Sequence, residues 1–597
     1  MATDNETRPE DGAPAGERSE ASAVSNDTPS DSQPMSGTDK DTEHEGKARN
    51  RNAGRAERKR EKMSANKRKK QDDWREWKRR KVNAMGDSVE GDSKNPFSKE
   101  EIESEERRPK RKVAVMIGYS GTGYKGMQVN GDEPTIERDL FKAFIEAGAI
   151  SKANADDPRK SSLARCARTD KGVHAAGNVI SLKLIIEDDD IVDKINTFLP
   201  EQIRIWGIQR TNNNFNCYQY CDSRWYEYLL PSHCLLPPHP QTYLGRKLVE
   251  LNEEYGASEA VAGRMADVKD FWADVEEKEV KPMLAALNPE IRAAVLERLH
   301  VSEYELEAQE RREAEKTAEE KAGEQAGEQA GEKVGEKAGE ASRPTLVSHK
   351  PKKGELGPVD FALRDVKAAY IAAKRRYRIS TERRERLQAA LDEYVGTNNF
   401  HNFTVQKAFG DASSKRHIKS FVVNPKPILI GDTEWLSLKV HGQSFMMHQI
   451  RKMVGMVSLL VRCGTTLDRV RESYRNIKIA IPKAPGLGLL LERPVFVNYN
   501  RRAQDQLNRP CIDFDQYDER LEAFKEKHIY TRIFDVEEKE NTFHAFFNQI
   551  DQFKSNHFLW LTAGGVGIAD ISRGDGKAQD VDKQLGDENE DPEGGEG

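Results

Sequence analysis

Cysteine is scarce in this chain: six thiols (Cys166, Cys217, Cys221, Cys234, Cys463 and Cys511) are spread through 597 residues. So sparse a set gives no disulfide framework, and a reducing compartment is expected. Long apolar runs are missing too, and nothing approaches the roughly 20 residues that span a bilayer. The residues after Met1 carry several acids, which excludes the apolar stretch of a signal peptide and the Arg-rich pattern of a mitochondrial leader. Aromatic residues make up 7% and hydrophobic residues 36%, against 33% charged residues, and the mean hydropathy is −0.82. These values predict a soluble intracellular protein with fewer domains than its length allows, because much of the polarity sits where no core can form.

The net charge of −6 hides an asymmetry. From Lys47 to Lys81 there are 17 Lys/Arg against 5 Asp/Glu, whereas the first 45 and the last 24 residues are acidic. Two basic clusters stand out, Arg58-Lys59-Arg60 through Lys67-Arg68-Lys69-Lys70, and Lys78-Arg79-Arg80-Lys81. Such runs serve as a nuclear address, an RNA-binding arm or an inert solvated tail; a nuclear address is the expectation here. Residues 1–108 therefore predict a disordered tail with basic clusters.

Hydrophobic periodicity then divides the chain. An N-terminal half over 109–239 begins with a strand at 113–117 and a Gly-rich loop at 118–126. Pro134 opens a helix whose Ile136, Leu140, Ala143, Phe144 and Ala147 share one face, with Gly148 as its stop. Strands at 179–186 and 224–230 flank a short helix at 191–198. Residues 240–360 read as a charged insertion, helical to about Arg312. A four-residue repeat follows to Ala341, where a Gly in each repeat costs ~1 kcal/mol against Ala, so a flexible segment dispensable for chemistry is predicted. A C-terminal half over 361–500 carries a helix with Leu387, Ala390, Leu391 and Tyr394 on one face, strands at 418–423 and 435–441, a helix at 445–462 and a closing strand at 495–499. A helical extension (501–565) and an acidic disordered tail (566–597) complete it. Two alternating halves predict an α+β fold.

Five islands could carry chemistry. The first is Arg165-Cys166-Ala167-Arg168-Thr169-Asp170-Lys171-Gly172-Val173-His174-Ala175, a polar turn at the mouth of an apolar strand. That arrangement is costly unless it meets a ligand. The second, Arg224-Trp225-Tyr226-Glu227-Tyr228, puts Arg224, Tyr226 and Tyr228 on one strand face; it reads as a base-stacking and phosphate-contacting surface, or as an ordinary edge strand. The third, Gly121-Thr122-Gly123-Tyr124-Lys125-Gly126-Met127-Gln128, lacks the Gly-Lys-Ser/Thr end of a nucleotide loop. The fourth, His448-Gln449-Ile450-Arg451-Lys452-Met453-Val454-Gly455, sets a cation on the early turns of a core-facing helix, where it needs a carboxylate. The fifth, Ala484-Pro485-Gly486-Leu487-Gly488-Leu489-Leu490-Leu491, could wall a base pocket or simply precede a strand.

In their order along the chain and at these separations, the five islands resemble the TruA-type tRNA pseudouridine synthases. Phe400-His401-Asn402-Phe403-Thr404 and Ser413-Ser414-x-Arg416-x-Ile418 look like the eukaryotic branch. The resemblance covers roughly 111–235 and 361–500. It implies the pseudouridine synthase fold, with two related α/β half-domains sharing a central mixed, mainly antiparallel sheet. It implies that Asp170 is the catalytic nucleophile, that Tyr226 stacks on the turned-out uracil, and that Arg451 pairs with Asp170. Arg168 would help displace the target base, and Leu489 would pack on it. His174 receives a structural role. The chemistry needs no cofactor. A zinc site among Cys217, Cys221, His233 and Cys234 is the alternative for those residues, although their spacing is not a known finger. The implied partners are tRNA, with uridines near the anticodon stem and intron-containing precursors, and also small nuclear RNA and mRNA; the implied compartment is the nucleus. Bacterial relatives pair up, yet the insertion and extension here could cap that surface, and a monomer is expected. A non-catalytic RNA-binding protein on the same scaffold is the rival reading. A glycosidase-like hydrolase would want two carboxylates, and the islands supply one.

Overall fold

Strand β1 (Arg111–Tyr119) is an almost unbroken apolar run, which suits a strand covered on both faces. The computed structural model describes residues 95–300, 357–405 and 407–569. The basic clusters, the four-residue repeat and the acidic tail lie outside the described residues. β1 pairs antiparallel with β3 (His174–Leu184) and β4 (Ile203–Arg210), and β2 (Ala164–Arg165) pairs with β3. From β5 (Ser223–Pro231) the chain passes through the insertion to β6 (Gly396–Asn399), β7 (Lys415–Val423), β8 (Ile428–Ile430), β9 (Thr433–Gly442) and β10 (Leu489–Val495). These form one ten-stranded sheet of order β4-β1-β3-β10-β5-β9-β7-β6, with β8 beside β9.

The predicted mixed, mainly antiparallel sheet is found: only β3 and β10 run parallel. The halves exchange edges. β10 comes from the C-terminal half yet lies between β3 and β5, while β5 pairs with β9. Neither half can satisfy the backbone of its central strands without the other.

The helices follow the apolar stripes with shifted ends. Ile136–Glu146 buries Ile136, Leu140, Ala143 and Phe144 against the sheet and is followed by Gly148 at φ 73°. Its N-cap is Thr135, so Pro134 stands just outside the first turn rather than within it. The helix expected at 445–462 starts four residues later, as Gln449–Arg462, and every one of its residues is buried. The closing strand expected at 495–499 is a correction: Leu489–Val495 is the strand, and Val497–Leu507 is a helix. The leucine run at Leu489–Leu491 pairs on both sides, whereas Tyr499 and Ala503 recur at helical spacing and are the buried pair of that helix. Within the stretch expected to be unstructured up to 108, the described part holds a helix, Lys99–Glu103, capped by Ser98.

Two additions surround the sheet. Insertion residues Trp272, Val275, Val280, Leu284, Val295 and Leu299 make a small apolar core of their own with helix Pro358–Arg375. The C-terminal extension is anchored by buried charge. Lys525 Nζ lies 2.9 Å from Glu492 and 3.7 Å from Glu227, Tyr530 donates to Glu227 at 2.7 Å, and Arg462 makes a two-pronged pair with Asp551. Both members of that last pair are at most 5% exposed. Removing one partner of a buried ion pair strands the other. Asp551→Ala should therefore lower unfolding stability by about 3–5 kcal/mol in urea titrations. Arg462→Met combined with Asp551→Leu should lose much less than that single change.

Candidate active site

β3 and β10 start side by side and point the same way, with His174 opposite Leu490. Asp170, in the turn before β3, and Leu489, at the start of β10, therefore arrive at one end of the seam between the halves. Tyr226 on β5 is the register partner of Leu491, so it shares a face with Leu489. These residues line a cavity of about 470 Å³ together with Arg168, Arg224, the 125–130 loop and the 445–450 turn. Tyr226 packs against both large apolar cores at once, and Phe445 meets its ring edge-on at 5.3 Å.

The Gly-rich third island is a clamp for the Asp170 turn. Tyr119 Oη and Thr169 Oγ1 share a hydrogen bond of 2.8 Å. Met127 N–H donates to Thr169 O, and Gly172 N–H donates to Tyr124 O. Asn178 Nδ2 holds Ala167 O at 3.0 Å. The backbones touch: a Cβ at Gly121 would stand 2.3 Å from Val173 O, and one at Gly126, whose φ is 102°, would stand 3.0 Å from Thr169 O. His174 belongs to the same clamp. It is fully buried, it accepts from Gly121 N–H, and burial, with Arg532 adding to it, pushes its pKa down to about 4.

Asp170 is enclosed yet reachable, since its side chain keeps 40% of its accessible surface. Burial alone would push its pKa up. His448, with Nδ1 3.2 Å from Asp170 Oδ2, and the charges of Arg451 and Lys483 outweigh burial, and the carboxyl is held below its ordinary value of 3.8. It is ionised at neutral pH. Burial, only partly opposed by Arg224, raises the Tyr226 phenol above its usual range, so the aromatic wall is uncharged. Asp170 is the only carboxylate among the residues lining the cavity. A paired acid and base of the glycosidase kind is absent there; what remains is one charged oxygen nucleophile or electrostatic stabiliser beside an apolar, aromatic slot.

The expected site residues divide. Asp170, Tyr226, Leu489, Arg168 and Arg224 all line the cavity. Arg168 is exposed at its mouth, while Arg224 is buried and donates to Cys166 O at 2.8 Å. Arg451 stands behind the lining, with Nε on Ala484 O at 2.7 Å. Tyr228 is a correction: it is fully buried, and its hydroxyl donates to Pro485 O, so it props the Leu489 loop instead of meeting RNA. The zinc alternative also needs correcting. Cys217 and Cys221 lie by Ala164 and Ser223, while His233 and Cys234 face Lys374 and Arg462. Among the described residues the only metal-capable group is His239, Glu276 and His300. There Gln241 N–H donates to His239 Nδ1, which leaves the ring proton on Nε2, 3.0 Å from Glu276. That is a hydrogen-bonded pair, not a ligand set. His448, Lys483 and Phe445 escaped the residue-by-residue reading, although His448 heads the fourth island and Lys483 precedes the fifth. Their signal was a position within or beside a motif already in hand.

A family model described as tRNA pseudouridine synthase matches residues 390–497. The chain is 44% identical over 490 residues to tRNA pseudouridine synthase 1 of Schizosaccharomyces pombe, covering 81% of this chain and 89% of that protein. With the protein of the same name from Candida glabrata the identity is 44% over 454 residues, 76% of this chain and 72% of the relative. With tRNA pseudouridine(27/28) synthase of Saccharomyces cerevisiae it is 33% over 439 residues, 73% and 98%.

Gly126 is the tightest test of the clamp. Gly126→Ala combines an unfavourable φ with a Cβ pressed on Thr169 O and should cost roughly 1–3 kcal/mol in urea unfolding. Gly567→Ala, where nothing lies within 4 Å of the added carbon, should change stability little.

Proposed function

The chain belongs to the tRNA pseudouridine synthase family, and from that membership we propose that Asp170 carries the isomerisation of uridine to pseudouridine. The observation that supports this most is a lone carboxylate held ionised in a cavity that Tyr226 and Leu489 also line. In the reaction the N1–C1′ bond breaks, the uracil turns, and C5 bonds to C1′. The C5 proton leaves, and N1 ends up protonated. Asp170 either adds to the nucleoside or stabilises the departing ribose; both uses need its charge and neither needs a cofactor. Tyr226 stacks on the turned base, and Leu489 packs on its other side. Arg168, at the mouth, takes the place of the extruded nucleotide, because a stacked uridine cannot reach Asp170. Arg224 holds the wall through Cys166 O, and Arg451 pairs electrostatically with Asp170, helping to keep it ionised. A binding-only scaffold would have no reason to keep a charged acid, its cations and an open aromatic slot together.

The finer reading follows the eukaryotic branch: uridines near the anticodon stem, intron-containing precursors, and secondarily small nuclear RNA and mRNA. The 44% identity to the Schizosaccharomyces pombe and Candida glabrata enzymes named tRNA pseudouridine synthase 1 supports that branch. The basic stretch 47–81 supports a nuclear address and adds sequence-independent attraction for RNA phosphates. A monomer is the reading favoured by the extension, whose Lys525 and Tyr530 are committed to Glu227 on the sheet.

Asp170→Asn should cut tritium release from C5-labelled uridine in tRNA by roughly a thousandfold or more, while a filter-binding Kd for tRNA stays within about threefold, since the change removes no cation from the RNA path. Near-wild-type turnover would remove Asp170 from the mechanism. Replacing Lys67-Arg68-Lys69-Lys70 with Gln should move a fluorescent fusion toward the cytoplasm; an unchanged nuclear signal would place the address elsewhere.

A further inference from the structure

His448 occupies an unusual backbone state for the work it does. Its φ is 62°, one of four positive values among the described non-glycine residues, and two of the other three are asparagines, which tolerate that region. The turn around it is locked. Gln449 Oε1 accepts from Met446 N–H at 2.9 Å, Thr404 donates to Met447 O at 2.9 Å, and His448 O already accepts from Lys452 N–H as the first bond of helix Gln449–Arg462. Strain that neighbours over-determine in this way marks a constraint worth keeping. The left-handed turn delivers the imidazole to the catalytic loop of the opposite half. The ring is 5% exposed, and Nδ1 stands 3.2 Å from Asp170 Oδ2.

That contact is close but incomplete. Nδ1 is buried and makes no aligned hydrogen bond, so the donor is poised and not engaged. Catalytic hydrogen bonds are often loose before substrate arrives and tighten around it. Arg451 and Lys483 add charge from the helix and from the 481–485 loop. Arg451 also holds Ala484 O through Nε. Arg168 lies at the mouth, and no second carboxylate lines the cavity.

We propose that His448 is a positioning residue for the isomerisation: its imidazole N–H takes Asp170 Oδ2 as the base enters, fixing the carboxylate plane and leaving Oδ1 to face the nucleoside. This rests on the reading of Asp170 as the catalytic group. A hydrogen bond to the charged form favours that form. Without it, burial is less opposed, so Asp170 should take up its proton at a higher pH. Activity depends on the carboxylate, which is present above its pKa and lost as pH falls through it, and the acid limb of the variant must therefore move upward.

The test is His448→Gly in the full-length chain, because glycine accepts the same φ without a penalty. Tm should be unchanged or higher. The kcat for tritium release should fall about tenfold or more, with KM for tRNA within about twofold, as expected for lost orientation rather than lost binding. The rate at about pH 5, relative to pH 7.5, should fall further than in the wild type, and added imidazole should restore part of it. A purely structural histidine would instead lower Tm and leave the pH profile of the remaining activity in place. A wild-type rate and profile in His448→Gly, with Asp170→Asn inactive, overturns the role of His448 alone; an active Asp170→Asn overturns the underlying reading. Should His448→Gly fail to fold, His448→Asn, which also tolerates this φ, replaces it: a lowered kcat with a raised acid limb supports the proposal, and a wild-type rate and profile overturns it.

Discussion

A carboxylate that must stay charged inside a cleft is the constraint from which the rest of this structure follows. Burial pushes Asp170 toward its neutral form, and the opposing groups, His448, Arg451 and Lys483, all come from the C-terminal half. The acid is on a loop of the N-terminal half. The pair works only while the halves are closed on each other, and the exchanged strands supply that closure. With β10 inserted between β3 and β5, and β5 paired in turn with β9, the halves are joined by backbone hydrogen bonds along three seams, an attachment far stiffer than side-chain packing alone.

Stiffness at the seam shows where the local compromises lie. Gly126 and His448 flank Asp170 from opposite halves, and both have positive φ. Gly121 lets one backbone run against another with no room for a side chain. Tyr226 bridges the two apolar cores, so the aromatic wall of the slot cannot drift from either half. A reacting atom misplaced by an ångström costs orders of magnitude in rate. The hydrogen bonds from Tyr119, Met127 and Asn178 to the Asp170 loop read as the means by which the fold avoids that loss.

Much of this was legible in the chain. The apolar run at 113–117 marks a central strand because burial on two faces leaves no room for polar alternation. The alternation of Leu436, Leu438 and Val440 with Ser437, Lys439 and His441 marks another by its period of two, and the stripe of Leu387, Ala390 and Leu391 marks a helix by its spacing. Asp170, Tyr226 and Leu489 were found because each lies in a motif dense enough to be recognised. Three kinds of information were not there. The short strands Gly396–Asn399 and Ile428–Ile430 have too few residues to show a period, and the end of the closing strand moved because Val497 and Tyr499 suit a helix as well as a sheet. The face of Tyr228 was read correctly but its substrate role was not, since alternation tells which side a residue takes but not where along the strand the cavity stops. His448 was hidden because its contribution comes from a left-handed turn, which histidine tolerates better than most residues but which a single histidine in a sequence does not announce.

β5 ties the additions to the chemistry. Along that strand Tyr226 points into the cavity and Glu227 to the opposite face. Glu227 is buried and receives Tyr530, Ser437 and Lys525, so a charge on the back of the sheet is neutralised by the C-terminal extension. An unpaired carboxylate there would cost several kcal/mol, and the strand could escape that cost only by twisting or fraying next to Tyr226. The extension therefore meets β5 on the face opposite the site, pairing Glu227 directly beside Tyr226, whose register partner is Leu491. On this view the residues after 500 are a requirement of the catalytic strand itself. The insertion differs in kind, because its Trp272–Leu299 cluster packs on helix Pro358–Arg375 as a separate apolar core.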